Sequence, residues 1–168
     1  MIVSIHQPNY APWLGYFYKI SQSNLFVLLD DVQFSRGGYT NRVKIMRSGR
    51  AEWLTQPVKH SFGTFISKTE FSINNWSQRH LDTSNGAYRE TPAFSDTWPI
   101  IKNIWEHASC ISVSDSNIYI IEALSELLEL NCRFILSSSI DTGDTKSDTR
   151  LVSILEEVAP KGSTYVSG

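Results

Sequence analysis

The chain has 168 residues, of which 41% are hydrophobic and 12% aromatic, and its formal net charge is -2. This composition predicts one globular domain with an ordinary core and no general attraction to nucleic acid. No apolar run reaches the ~18 residues of a membrane-spanning helix, and no basic leader precedes an apolar stretch, so we expect a cytoplasmic protein without membrane insertion. Cys110 and Cys132 lack metal-site spacing and are expected to be reduced and packed.

Residues 1–30 predict a strand, a polar turn, a helix and a second strand. Met1 to Ile5 and Leu25 to Leu29 are short apolar runs, which suit the buried strands of a parallel sheet. The apolar residues between them recur at helical spacing, with Pro12 at the first helical position. The order predicts a βαβ unit with a right-handed crossover.

The polar turn after the first strand is the first candidate site. In open α/β folds this turn lies at the carboxyl edge of the sheet, where ligands bind, and the following helix N-terminus favours anions. We therefore expect a phosphate or carboxylate ligand there. A stiff turn beside aromatic core residues is the alternative. The expected contact residues are His6, Gln7, Asn9 and Tyr10.

The middle of the chain departs from strand and helix alternation. Residues 35–73 predict a β-hairpin insertion, in which Arg42 to Val58 forms two strands and Phe65 to Ile73 extends the same antiparallel segment. The stretch 34–41 is polar and contains glycine, so we expect a loop with exposed aromatic and basic side chains.

Residues 75–130 predict a helical segment. Its first helix is expected to be interrupted at Gly86. Its second helix is expected from Phe94 to Ser109, with Pro99 tolerated only in the first turn. Its third helix is expected to begin at Ser114 or Asp115, and a left-handed cap at Asn131 would end it.

The last part of the chain returns to strand and helix alternation. The run RFILSSSI predicts a third parallel strand, followed by a turn-rich loop, a helix from Arg150 to Val158 and a short strand from Thr164 to Ser167. The fold class is therefore α/β, a single domain over residues 1–168 with a parallel Rossmann-like sheet, an inserted hairpin and a helical segment.

A histidine and two acids follow the first two predicted strands. His6 has a place where an imidazole binds phosphate or moves a proton, although a histidine bonded to a backbone carbonyl is the alternative. Asp30 and Asp31 are candidates to hold Mg²⁺ or an amine, or simply loop amides, and because adjacent strand residues face opposite ways we expect one functional acid. The other histidines are predicted to lie on the surface: His60, His80 and His107.

A basic stretch downstream of the acids is a candidate anion clamp. Arg36, Asn41 and Arg42 carry guanidinium and amide donors that bind carboxylate or phosphate. A solvated hairpin face is the alternative, and it is the one we prefer for Lys44. Arg150, near a helix start, is placed to reach a phosphate, or else belongs to a cap network.

Several common catalytic motifs are missing from the sequence. It contains no GxxxxGK[ST] loop, no GxGxxG, no GxSxG and no cysteine or histidine metal cluster. P-loop hydrolases, Rossmann dehydrogenases and serine hydrolases are therefore excluded.

Four segments carry a resemblance to a known family: IHQPNYAPWLGYFYKI, FVLLDDVQFSRGGYTNRVKI, TKSDTRLV and TYVSG. Together they resemble the WbqC-like proteins, which occur in bacterial gene clusters for O-antigen and other surface polysaccharides. The resemblance implies a cytoplasmic protein that acts on activated sugars and installs an acyl or aminoacyl group on an amino sugar. Members continue beyond the YVSG strand, so the resemblance also implies a chain shortened at its C-terminus.

A second likeness, of fold alone, is to the nucleotidyltransferase superfamily, whose HxGH turn grips ATP phosphates. The corresponding stretch here runs from Trp13 through Gly15 to Tyr16 and lacks both motif histidines, so His6 would supply the imidazole. This likeness implies ATP and Mg²⁺ as cofactors and adds Trp13, Gly15 and Tyr16 to the expected nucleotide contacts.

Two hypotheses of function follow. The first is an acyl or aminoacyl transferase that forms an amide on an amino sugar or nucleotide sugar, with His6, Asp30 and Asp31 as catalytic residues. The second is a non-catalytic subunit that binds a sugar nucleotide within a biosynthetic complex, with Tyr39 and Phe62 as stacking or docking surfaces. A nucleotidyltransferase-like enzyme is a further alternative.

Overall fold

The computed structural model describes residues 1–108 and 112–167. In chain order its strands are β1 (Ile2–His6), β2 (Leu25–Leu28), β3 (Arg42–Arg47), β4 (Arg50–Thr55), β5 (Val58–Lys59), β6 (Glu70–Phe71), β7 (Arg133–Leu136) and β8 (Thr164–Val166). Its α-helices are α1 (Leu14–Ser21), α2 (Trp76–Tyr88), α3 (Phe94–Ala108), α4 (Val113–Leu127) and α5 (Ser147–Val158).

A parallel sheet forms the centre of the molecule. Within the described residues it has four strands in the order β7-β2-β1-β8, and every neighbouring pair is parallel. Val3 is paired with Leu25, and Leu25 in turn with Arg133, so the carboxyl ends of β1, β2 and β7 meet at one edge. This sheet, with helices on its faces and antiparallel hairpins beside it, confirms the predicted α/β class.

Alternating side chains of the sheet are buried under helices on both faces. Val3, Ile5 and Val27 point to one side and pack around Ile154 of α5. Phe26 and Leu28 point to the other side, where α1 and α4 cover them. Burial on both faces explains why these strands are nearly continuous apolar runs.

The predicted hairpin of the insertion is confirmed, whereas the predicted extension of this antiparallel segment by Phe65 to Ile73 is wrong. β3 and β4 pair antiparallel across a turn at Ser48 and Gly49. The predicted strand from Phe65 to Ile73 is instead a 3₁₀ turn at Ile66–Lys68 followed by β6, which pairs with β5 in a separate ladder. The backbone N–H of Ile66 bonds to Val32 O at 2.9 Å, so contacts with the chain after β2 draw this segment away from the hairpin.

Several helix boundaries differ from the prediction. α1 begins at Leu14 and not at Pro12, because Ala11 takes a left-handed φ of 41° and the first helical turn closes between Tyr16 N–H and Trp13 O. α2 continues through Gly86 to Tyr88. Pro99 lies in the second turn of α3 and not in the first.

Both ends of α4 and the start of α5 also differ from the prediction. Ser112 caps α4, because its hydroxyl accepts from Asp115 N–H at 3.2 Å, so the prediction of Ser114 or Asp115 as the start was wrong. Glu129, with a left-handed φ of 54°, ends this helix in place of Asn131. α5 begins at Ser147, before Arg150. Among the cysteines, Cys132 is a free, half-buried thiol, and Cys110 lies outside the described residues.

Candidate functional site

A cavity of about 370 Å³ lies beside the turn that follows β1. Its walls are the turn from Asn9 to Trp13 on one side and Tyr39, Val43 and Lys44 of the insertion on the other. This volume falls in the range of small-molecule sites. Because the walls combine an amide, aromatic rings and a cation, the cavity suits a ligand with hydroxyl or anionic groups.

The turn is fixed against the insertion by hydrogen bonds from several elements. Asn117 of α4 donates from Nδ2 to Pro8 O at 2.9 Å and to Thr40 O at 2.6 Å. The N–H of Tyr10 donates to Tyr39 O at 3.0 Å. Sequence reasoning missed Asn117, because no local pattern reveals its partners Pro8 and Thr40. The cavity is therefore held between two segments whose spacing α4 sets.

Tyr10, an expected ligand contact, has its hydroxyl in the core. Trp105 Nε1–H donates to this hydroxyl at 2.7 Å, and the hydroxyl lies 2.7 Å from His80 Nδ1. His80 Nε2 lies 3.0 Å from Thr55 O, and because a carbonyl only accepts, Nε2 carries the proton and Tyr10 donates to Nδ1. The Tyr10 hydroxyl is therefore already engaged.

His80 corrects one prediction. It was expected on the surface and is buried, because its ring completes the chain of bonds from Thr55 to Trp105. Burial lowers the pKa of His80 to about 4, so the ring is neutral at neutral pH. His60 and His107 are exposed, as expected.

His6 is half-buried at the carboxyl end of β1. Its Nδ1 lies 3.1 Å from Gln7 O, and its ring meets Tyr16 edge-on with 4.8 Å between centroids. Burial lowers the pKa of His6, and the nearby charge of Lys19 adds to this effect. Nδ1 therefore holds the proton, and Nε2 presents a lone pair with no hydrogen-bond partner in the described part of the chain. His6 does not line the 370 Å³ cavity itself.

Gln7 and Tyr16 fix this histidine. The Tyr16 hydroxyl donates to Gln7 O at 3.0 Å, the same carbonyl that faces His6. The side chain of Gln7 accepts from the Thr40 hydroxyl at 3.4 Å. Tyr16 is buried, and burial raises the pKa of its phenol, so it acts as a neutral donor.

Asp30 and Asp31 lie at the same edge, as predicted, and Ser137 joins them. The Ser137 hydroxyl is 3.1 Å from the Asp30 carboxylate and also bonds to Asp31. Ser138 N–H donates to Asp30 at 3.0 Å. Because β2 has ended at Leu28, the two acids no longer have to face opposite ways.

Arg150 pairs with Asp31, so the guanidinium predicted to meet a phosphate already has a carboxylate partner. Together with Ser137 and Ser138, Arg150 engages three of the four carboxylate oxygens of Asp30 and Asp31. Over residues 1–108 and 112–167, no group of three or more histidine, cysteine or acidic side chains is placed to hold a metal. The structure therefore shows these acids in a hydrogen-bonded cluster with Ser137, Ser138 and Arg150.

The basic stretch divides into residues that are tied down and residues that face solvent. Arg42 bonds to Gly37 O, and its guanidinium stacks 4.0 Å from the ring centroid of Trp53. Asn41 is buried and donates to Gln56 O at 3.0 Å. Arg36 is exposed, so the three predicted clamp residues differ in their environments.

The wall beside the cavity instead carries an aromatic and cationic surface. Tyr39 and Trp53 are exposed neighbours with 5.6 Å between ring centroids. Lys44 lies 5.1 Å from the Trp53 centroid and lines the cavity, although we expected it only on a solvated face.

Trp13 covers the start of α1. A Cβ built on Gly15 would lie 2.1 Å from its indole, so the ring sits directly over that glycine. Trp13 is 67% exposed and lines the cavity. The stretch compared with the HxGH turn therefore presents an indole to the cavity, while Tyr16 faces the core.

Comparison with known proteins identifies the family. The model of the WbqC-like protein family matches residues 7–168. The chain belongs to the WbqC-like protein family. This confirms the resemblance inferred from the sequence. No solved structure gives a significant match.

A curated relative of this WbqC-like chain comes from Mycobacterium tuberculosis and is named Uncharacterized protein Rv1507c. The two are 28% identical over 168 residues, which is 99% of this chain and 71% of the relative. In the part of the WbqC-like chain that the structure describes, no helix has the length and apolarity to cross a bilayer.

Proposed function

We propose that this WbqC-like protein is an acyl or aminoacyl transferase that forms an amide on an amino sugar during surface polysaccharide synthesis. The observation that carries the proposal is the state of His6. Its proton is held at Nδ1 by Gln7 O, burial lowers its pKa, and Nε2 presents a lone pair at the carboxyl edge of the sheet. A neutral imidazole in this state is equipped to act as a general base.

The proposed step uses that base on the amine of the sugar. The amine nitrogen attacks the acyl carbonyl carbon, a C–N bond forms, and His6 Nε2 takes the proton that the nitrogen loses. The bond between the acyl carbon and its leaving group then breaks, and the leaving group departs with the electron pair and receives that proton from Nε2. His6 returns to its starting state.

The walls of the 370 Å³ cavity support a sugar or nucleotide sugar as acceptor. The aromatic rings of Trp13 and Tyr39 suit stacking on a sugar or base, and Asn9 offers an amide that can both donate and accept. Lys44 supplies a positive charge for a phosphate group. We also propose ATP as the source of donor activation. The proposed step uses no Mg²⁺, because Arg150 and Ser137 engage the acids.

The test is amide formation by the purified protein. Thioester and aminoacyl donors are incubated with nucleotide-linked amino sugars, and the product is detected by mass spectrometry. His6→Asn should lower the rate by about 10²–10⁴-fold, the usual contribution of a general base, while the circular dichroism spectrum stays unchanged. His107→Asn is the matched control, because His107 is exposed on α3, and it should keep the full rate. A folded His6→Asn variant with the wild-type rate would remove His6 from the mechanism.

A second candidate is a non-catalytic sugar-nucleotide binding subunit. The exposure of Phe62, 98%, and of Tyr39, 50%, favours a docking or stacking surface. Tight binding of nucleotide sugars without amide formation from any donor would favour this candidate. Release of pyrophosphate from a nucleotide without acyl transfer would instead favour a nucleotidyltransferase-like enzyme.

A further inference from the structure

A second cavity adjoins the first on the side of the helical segment. It has a volume of about 320 Å³ and lies between the β3–β4 hairpin and helices α2 and α3. Ala11 and Val43 line both cavities, so the two share a boundary at these residues. A ligand in the first cavity can therefore extend past Ala11 and Val43 into the space between the β3–β4 hairpin and helices α2 and α3.

The wall of the second cavity is mostly apolar. Its inner side is formed by Ile45, Leu81 and Ile101 together with the rings of Trp98 and Trp105. None of the residues that line it is charged. A phosphate or a sugar placed here would lose its hydration without gaining a charged partner, whereas an alkyl group would gain burial.

Three of the four hydroxyl groups on this wall already have hydrogen bonds. The hydroxyl of Thr91 donates to Tyr88 O at 2.7 Å, and that of Thr97 donates to Ala93 O at 2.8 Å. The hydroxyl of Tyr88 accepts from Met46 N–H at 3.1 Å. These three hydroxyl groups therefore do not need a polar ligand. The first cavity differs, because Asn9 and Lys44 offer it an amide and a cation.

The boundary between the cavities carries backbone strain. Ala11 has a φ of 41°, a left-handed conformation that a residue with a Cβ adopts at a cost. Strain of this kind is concentrated at ligand sites. It is held here by the bond from Tyr10 N–H to Tyr39 O, which fixes the turn just before Ala11.

We propose that the second cavity holds the hydrocarbon chain of the acyl donor, which passes the boundary formed by Ala11 and Val43. This inference rests on the proposed acyl transfer and deepens it, because it selects a straight-chain acyl donor over an aminoacyl donor. A six-carbon ring fills an apolar cavity of about 150 Å³, so the observed volume suits a chain of roughly eight to twelve carbons.

Direct binding tests the assignment without turnover. The probes are straight-chain carboxylates of about 4, 8, 12 and 16 carbons, used below their micelle concentrations and titrated by calorimetry. Affinity should rise by about fourfold per added methylene up to the length that the cavity accepts and then level off. A brominated chain of the best length should quench the fluorescence of Trp98 and Trp105, since both rings line the cavity. An affinity that does not change with chain length would overturn the proposal.

A matched pair of variants locates the binding. Ser84 of α2 lines the cavity, so Ser84→Phe fills it and should weaken binding of the best chain by about tenfold or more. Ser95→Phe makes the same chemical change at an exposed position of α3 outside the lining and should bind like the wild type. If Ser84→Phe does not fold, Thr97→Phe replaces it, because Thr97 also lines the cavity and is exposed. Wild-type binding in a folded filling variant would contradict the proposal.

The same experiments separate this inference from the proposed function. Chain-length-dependent binding that Ser84→Phe removes, with no amide from any donor, would support the acyl cavity and contradict the transferase. Amide formation from acetyl or aminoacyl donors, without any preference for longer chains in binding, would support the transferase and overturn the acyl cavity.

Discussion

Replacing Tyr10 by phenylalanine should destabilise the protein strongly, although it removes only one oxygen atom. Tyr10 is 1% exposed, and its hydroxyl is bonded to Trp105 Nε1 and His80 Nδ1, each at 2.7 Å. These bonds connect the turn after β1 with α2 and α3. Phenylalanine keeps the ring and its packing, so the variant isolates the hydroxyl.

The size of the effect follows from the groups that lose their partner. Trp105 Nε1–H and the lone pair of His80 Nδ1 would both be left buried and unpaired. A buried unpaired group costs about 1–3 kcal/mol, so we expect the free energy of unfolding to fall by about 2–5 kcal/mol. For a domain of this length the melting temperature should then fall by about 5–15 °C.

Urea unfolding followed by tryptophan fluorescence measures this change. Tyr18→Phe is the control, because Tyr18 is 68% exposed on α1, and it should unfold like the wild type. A Tyr10→Phe variant whose stability lies within about 0.5 kcal/mol of the wild type would refute the reasoning, since such a value is typical of a surface change. It would mean that water or a rearranged side chain satisfies both groups.

Further predictions concern pH, the acid pair and the start of α1. Burial lowers the pKa of His80 from 6.5 to about 4, so between these pH values the unfolded chain binds a proton that the native state does not. The free energy of unfolding should therefore fall by up to about 3 kcal/mol as the pH drops from 6.5 to 4. Urea midpoints at several pH values measure this fall, which should be smaller in His80→Asn. Arg150→Met breaks the partly buried pair with Asp31 and should cost about 1–3 kcal/mol in urea unfolding, while Arg36→Met on the exposed loop should cost nothing measurable. Gly15→Ala should displace the Trp13 indole, visible as a shifted indole NMR signal, without loss of stability; an unchanged signal would contradict the contact.

The parallel sheet was predictable because each of its strands can be recognised from its own residues. The segments of β1 and β2 are short, mostly apolar runs, and each is followed by polar residues at the carboxyl edge. The segment after Phe65 was not predictable in the same way. Ile66 is fully buried and its N–H bonds to Val32 O, and no local periodicity in the sequence indicates a contact of that range.

The candidate site was predictable in its location and only partly in its members. His6 and the two acids follow strands that lie side by side, so their common edge follows from the βαβ order. His80 and Asn117 were missed because their partners are far away in sequence: Tyr10 is 70 positions from His80, and Pro8 is 109 from Asn117. Arg150 was assigned to a ligand because its carboxylate partner, Asp31, is 119 positions distant.

The pairing of β1 with β8 has a consequence for how the molecule is made. β1 is synthesised before β2 and can pair early with it, but its other edge is completed only by Thr164–Val166, which is synthesised much later. Until that strand arrives, β1 presents a row of unpaired backbone groups to any passing polypeptide. Nascent or truncated chains that stop short of β8 should therefore aggregate and depend on chaperones far more than the finished protein.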